Sequence, residues 1–231
     1  MDEFFVKISN DWIRSYKPNP KKILAYYLLY SMVGKDEVGA FLPRYAVSVC
    51  GYKNRKGTQG IDQQFEDVFK ELMESGYFAP LDGYTISKGQ SGFVYGINFE
   101  QYNLEYNFTV LTNTEFHKLI RDNSNRNREN DLLVYLYVKS YFNKGNLSHG
   151  SIAFFQSIEN MMKVLGLGRN TITNSLEHLV SMNMLFKQNV NKQQDSRVYF
   201  PNLYIVNYGQ SAEMIKDCVN NTKKYIKSLG E

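Results

Sequence analysis

Cysteine is almost missing from this chain of 231 residues: Cys50 and Cys218 are the only two, too few for a disulfide framework and without the clustering of a zinc site. Histidine is nearly as scarce. His117, His149 and His178 stand far apart, and no pair has the H-x-x-x-H or H-E-x-x-H spacing that sets two ligands on one helical face, so no metal and no cofactor is expected. No apolar run approaches the roughly 18 residues of a membrane span. Met1-Asp-Glu-Phe-Phe5 also lacks the basic and then apolar opening of a signal peptide, so the expectation is a cytoplasmic protein with no membrane partner.

Catalytic signatures are missing as well. Gly51-Tyr-Lys-Asn-Arg-Lys-Gly-Thr58 has one residue too many between its glycines for a phosphate loop and no lysine before the threonine. Gly166 and Gly168 lack the third glycine of a dinucleotide fingerprint. Tyr137 and Tyr141 stand four apart, like paired tyrosine nucleophiles, but no His-x-His element accompanies them to hold a metal, and they read as core aromatics. The chain is expected not to be an enzyme.

What is present is enough for packed cores: 43% apolar and 15% aromatic residues, with a formal charge of +4 that permits a polyanionic partner without demanding one. The most informative stretch runs from Val164 to Leu185. A short apolar-periodic run ends there, Gly166 and Gly168 punctuate it, and Ile172, Leu176, Leu179 and Val180 restart at helical spacing. This is helix, tight turn, helix, with Asn170 or Thr171 able to cap the second helix. With Ile172, Leu176 and Leu179 inward, the outward face is Asn170, Thr171, Asn174, Glu177, His178 and Ser181, polar and suited to base edges in a major groove. Met184–Val190 and Arg197–Phe200 then read as two strands around a polar tip, Asn191–Ser196. Helix, turn, helix and hairpin is the order of a winged helix. Asn170, Thr171 and Asn174 are the candidate base readers, and Arg169, Lys187, Lys192 and Arg197 the candidate phosphate contacts.

The same unit is written earlier in the chain. Phe5-Val-Lys-Ile-Ser-Asn-Asp-Trp-Ile13 aligns with Phe108-Thr-Val-Leu-Thr-Asn-Thr-Glu-Phe116, and each leads to a tyrosine-rich apolar run, Ile23–Val33 and Leu132–Phe142, read as a buried first helix. Asn19-Pro20 and Asn130-Asp131 are read as their starts. Leu42–Cys50, a basic turn with Lys53, Arg55 and Lys56, a third helix with Ile61, Phe65, Val68 and Leu72 inward, and strands in Tyr77–Leu81 and Gly92–Phe99 complete the first copy. Its third helix carries Gln63, Glu66, Asp67, Lys70 and Glu74 outward. Carboxylates repel phosphates, so this helix is not expected to read bases: either the basic turn touches phosphates or the face meets a protein instead, with a plain solvated loop as the alternative reading of the turn. Between the copies, Arg121–Glu129 reads as a polar linker. Near the end, Met214, Ile215, Cys218, Val219, Thr222, Tyr225, Ile226 and Leu229 form one stripe of an amphipathic helix that either packs on the body or joins two chains as a homodimer.

The expected architecture is therefore mainly α with small β wings (α+β): winged-helix domains at 1–104 and 105–209 and a C-terminal helix at 210–231. The opening strand, the apolar helix after it and the Val164 to Leu185 motif resemble winged-helix replication proteins of Gram-positive bacteria, namely DnaD-like primosome proteins and plasmid and phage replication initiators. Their domains often open with Phe-x-Lys-Ile-Pro/Ser-Asn, and Ser9 stands here where proline is common. The resemblance implies binding of double-stranded DNA, a role in replication initiation, self-association, and a replication-protein partner, for which Glu66, Asp67 and Glu74 are the candidate surface. Two other readings remain open: a transcriptional regulator with the same DNA chemistry, and a protein–protein adaptor that binds no DNA.

Overall fold

The computed structural model describes residues 3–33, 37–41, 43–52, 60–81, 93–97, 107–121, 128–142, 153–188 and 202–228. In chain order the elements are β1 (Phe5–Ser9), α1 (Asn10–Ile13), α2 (Pro20–Ser31), β2 (Val38–Phe41), α3 (Pro43–Val49), α4 (Ile61–Glu74), β3 (Phe78–Pro80) and β4 (Phe93–Ile97). They continue with β5 (Phe108–Thr112), α5 (Asn113–Ile120), α6 (Arg128–Ser140), α7 (Ile158–Leu165), α8 (Arg169–Ser181), β6 (Leu185–Gln188), β7 (Leu203–Val206) and α9 (Ala212–Ser228). The described chain is thus mainly α with three small antiparallel sheets. None of its helices is long and apolar enough to cross a membrane.

Two compact units form: Met1–Ser9 with Asn19–Glu129, and Asn10–Pro18 with Asn130–Glu231. Sequence repetition suggests cuts at 104/105 and 209/210, whereas packing groups β5 and α5 with the first unit and α9 with the second. The reason lies in β1 and β5. The two aligned opening strands pair with each other, antiparallel, with Phe5 opposite Thr112 and Ser9 opposite Phe108. That register has a local two-fold about the Lys7–Val110 pair, since copies of one strand can satisfy each other's ladder. The helix after β5 then packs in the first unit, while α1, the turn after β1, belongs to the second.

In the first unit α2 is the central helix. Asn19 caps it, its Oδ1 accepting from the Lys21 N–H at 3.0 Å, and Pro20 opens it with the φ a helix needs. Every residue from Ile23 to Tyr30 is buried, which is why the run is apolar on all sides. α5 seats on it through Tyr27, whose ring stacks on Phe116 at 3.9 Å and whose hydroxyl donates to Asn113 Oδ1 at 3.2 Å. Thr112 and Glu115 cap α5 reciprocally. The three-stranded sheet has the order β2-β4-β3, so the strand before α3 lies beside the last strand. At the other end of the unit, Arg128 donates to the Cys50 carbonyl at 2.8 Å, and Glu129 takes Lys21 at 2.8 Å and the Tyr52 hydroxyl. Arg128 and Glu129, read above as linker, are in fact the first residues of α6. Burial first, and the Glu129 charge second, push the Cys50 thiol up to about 12, which leaves it an inert core group.

In the second unit α6 takes the central place, buried continuously from Asp131 to Lys139. The helix starts two residues before Asn130, so Asn130 is not its cap, and Asp131, expected as an acid at the helix start, is buried. Phe154 bridges Tyr204 of β7, and β6 pairs with β7 from Leu185–Val206 to Gln188–Leu203. The described return strand therefore follows Pro201, with all of Leu203–Val206 buried, and the expected strand Arg197–Phe200 lies outside the described residues. α9 docks on this unit. Thr222, fully buried, accepts from the Ala153 N–H and donates to the Cys218 carbonyl, each at 2.7 Å, while Met214 and Tyr225 at the margins of the stripe stay exposed. Arg14, just after α1, donates to Ser140 and lies 4.2 Å over the Tyr141 ring.

Candidate nucleic-acid interface

The helix-turn-helix expected from Val164 to Leu185 is built by α7, a short turn and α8. Ser157 starts α7 by accepting from the Asn160 N–H at 3.2 Å. Gly166 ends it in the left-handed region, φ 67°, its N–H returning to the Met162 carbonyl at 3.0 Å; only glycine enters that region without steric cost. Gly168, extended at φ −71° and ψ 155°, then starts α8.

The start of α8 corrects the expected cap. Neither Asn170 nor Thr171 caps the helix, because Gly168 already provides the extended residue two positions earlier, and a glycine has no side chain with which to accept. The first amides of α8 thus lack a side-chain cap, and Asn170 and Thr171 sit within the first turn with their side chains free of that duty. Ile172, Ser175, Leu176 and Leu179 are buried. Burying the three aliphatic side chains stabilises the docked helix by about 1.5–3 kcal/mol each. Arg169, Asn170, Asn174, Glu177 and Ser181 are exposed and Thr171 is half-buried, so the three candidate base readers share the accessible side of one helix.

His178 departs from the expectation of an outward, isolated histidine. Its Nδ1 lies 2.8 Å from Asp131 Oδ2 on α6, and the two side chains are 10% and 5% exposed. The pair ties the last turns of α8 to the central helix 47 positions earlier, and nothing in either local sequence announces it. A histidine and an aspartate on different helices carry no periodic signal.

Arg169 is exposed but occupied. It pairs with Glu159 on α7, whose carboxyl is held below the usual carboxylate range by its own backbone N–H and by Arg169. Both side chains are more than half exposed, so the contact is weak and exchangeable. Lys187 stands exposed on β6, opposite Tyr204. Lys192 and Arg197 lie outside the described residues, as do Lys53, Arg55 and Lys56 of the first copy.

The corresponding helix of the first unit, α4, buries Phe65, Val68, Phe69 and Leu72. Ile61, expected inward, is only half-buried at its first position, where the end of a helix lies beyond the core. Its open side is acidic. Asp67 and Glu74 are exposed and Glu66 half-buried; Gln63 donates to Asp67 at 2.9 Å, and Glu71 holds Lys22 at 2.6 Å. Asn19, Lys21, Gln64, Asp67, Val68 and Glu71 line an open groove of about 310 Å³ there.

One further set of residues, which the sequence reading passed over, reaches the turn of the helix-turn-helix. The Lys17 N–H donates to the Val164 carbonyl at 2.7 Å, and the Lys17 side chain runs over Gly166. Tyr16 beside it is 74% exposed. Among the described residues, no group of three or more His, Cys, Asp or Glu side chains comes together to hold a metal ion. In comparison with known proteins, the chain matches no protein-family model and no curated protein.

Proposed function

We propose that the chain binds double-stranded DNA as a tandem winged-helix protein, that α8 reads bases, and that its role is replication initiation or organisation in a plasmid, phage or integrative element. The carrying observation is α8 itself: a helix anchored by Ile172, Leu176 and Leu179 whose accessible side holds Asn170, Thr171 and Asn174 and whose first amides have no side-chain cap. Free backbone N–H groups at a helix start donate to phosphate oxygens, and asparagine pairs with adenine in the major groove. The winged-helix reading draws support from the element order common to both units: central helix, strand or bridge, helix, helix, and two paired strands. The resemblance of the opening strand and helix-turn-helix to replication initiators favours replication over transcriptional regulation.

Fluorescence anisotropy with mixed duplexes over a range of salt tests the reading. Binding should weaken linearly in log–log form as salt rises, and Lys187→Ala should weaken all duplexes alike and reduce the slope by about one. Binding that is absent, or insensitive to salt, would overturn it and leave the adaptor reading. Footprinting on the element's own DNA separates the two DNA roles: protection of iterated repeats fits an initiator, and protection of a promoter fits a regulator.

The acidic side of α4 favours a second role for the first unit, docking of a basic replication protein through Glu66, Asp67 and Glu74. Replacing Asp67 and Glu74 together by lysine should leave duplex affinity unchanged if α4 lies away from DNA. A marked rise in affinity would place α4 along the phosphates and remove the docking role.

A further inference from the structure

We infer that Lys17, with Tyr16, is a DNA-backbone contact seated on the turn of the helix-turn-helix, a site contributed by the opening of the first repeat to the reading head of the second unit. The inference rests on the proposal that α8 binds duplex DNA. Three observations carry it. First, the segment is fixed to the turn: the Lys17 N–H donates to the Val164 carbonyl at 2.7 Å, and the lysine stem covers Gly166 so closely that a Cβ there would lie 2.5 Å from Lys17 Cγ. The ammonium is thereby carried past the residue that ends α7, two positions before the Gly168 start of α8.

Second, Lys17 holds a backbone conformation that disfavours it. Its φ is 52°, in the left-handed region, where glycine or asparagine sits at lower cost. The structural duties at this position are a backbone N–H and a covering stem, and neither needs a charge. A lysine kept there against its conformational preference points to use of the ammonium.

Third, that ammonium is available. Among the described residues Lys17 forms no ion pair, in contrast to Arg169, which Glu159 holds. Its Nζ lies 4.9 Å over the ring of Tyr16, which is 74% exposed. The ring limits where the ammonium can go, and the tyrosine adds a hydroxyl donor; a phosphodiester oxygen takes both. Such a contact positions the protein on the duplex and reads no base.

Anisotropy on the full chain with Lys17→Asn and Lys17→Arg tests the assignment. Asparagine tolerates the positive φ and removes the charge, whereas arginine keeps the charge. Lys17→Asn should weaken cognate and random duplexes alike and lower the salt slope by about one, so that the affinity ratio between 50 and 200 mM salt shrinks about fourfold. Lys17→Arg should keep the wild-type slope. A wild-type slope for Lys17→Asn, or an arginine variant as weak as the asparagine one, overturns the contact while wild-type binding upholds the DNA reading. If the unaltered protein binds no duplex, both fall.

Discussion

Asn174→Ala is expected to cost roughly 5- to 150-fold in affinity for the cognate duplex and almost nothing on random DNA, the 1–3 kcal/mol that one bidentate amide–base pair contributes to discrimination. The size of the effect follows from position. Asn174 is exposed one helical turn after Asn170, between the buried Ile172 and Ser175, so its side chain supports no part of the core. The change to alanine should therefore leave the unfolding transition in place, or raise it slightly, since alanine is the better helix former. Competition titrations with cognate and scrambled duplexes measure it. Equal losses on both would move Asn174 from base reading to backbone contact, and no loss on either would remove α8 from the groove. Lys187 and Lys17 are the contrasting cases, where the expected loss is the same for every sequence and is read from the salt slope.

Gly39→Ala is expected to have the largest effect on stability, and it acts in the first unit. Gly39 lies opposite Tyr95 in the β2–β4 ladder, and the tyrosine side chain passes over it. A Cβ at residue 39 would meet Tyr95 Cζ and Oη at 2.5 Å. The ring cannot move aside freely: it is fully buried, edge-on to Phe69 and Phe78, and its hydroxyl donates to the Leu29 carbonyl at 2.6 Å on α2. Overpacking costs about 1–3 kcal/mol, and displacement of the ring adds about 1–3 kcal/mol when the buried Tyr95 hydroxyl loses its acceptor. Urea titration of Gly39→Ala, compared with Tyr95→Phe, separates the two contributions, because the phenylalanine variant loses only the hydrogen bond. An unchanged midpoint for Gly39→Ala would mean that β2 does not run beneath the Tyr95 ring.

The doubled unit was legible because each of its signals is local. Asn19-Pro20 marks the start of α2, the spacing of Phe65, Val68 and Leu72 marks the inner side of α4, and Gly166 and Gly168 bracket a turn. Errors fell where two local signals competed or where the partner was remote. Asn170 looked like a cap, but Gly168 reaches the extended conformation first. Asn130-Asp131 looked like a helix start, yet the helix begins at Arg128 and Asp131 is drawn in to meet His178. The strand expected at Arg197–Phe200 lies outside the described residues, and among those described the buried run that pairs with β6 is Leu203–Val206.

By itself the sequence determined the helices, the repeated order and the polar side of α8, because helical periodicity, glycine turns and caps depend on residues a few positions apart. Only the tertiary structure decided that the two opening strands pair with each other, that α1 and Lys17 serve the second unit, and that His178 is held by Asp131. Those choices depend on which distant surfaces meet, and hydrophobic burial rewards any suitable surface without marking its partner in the local sequence.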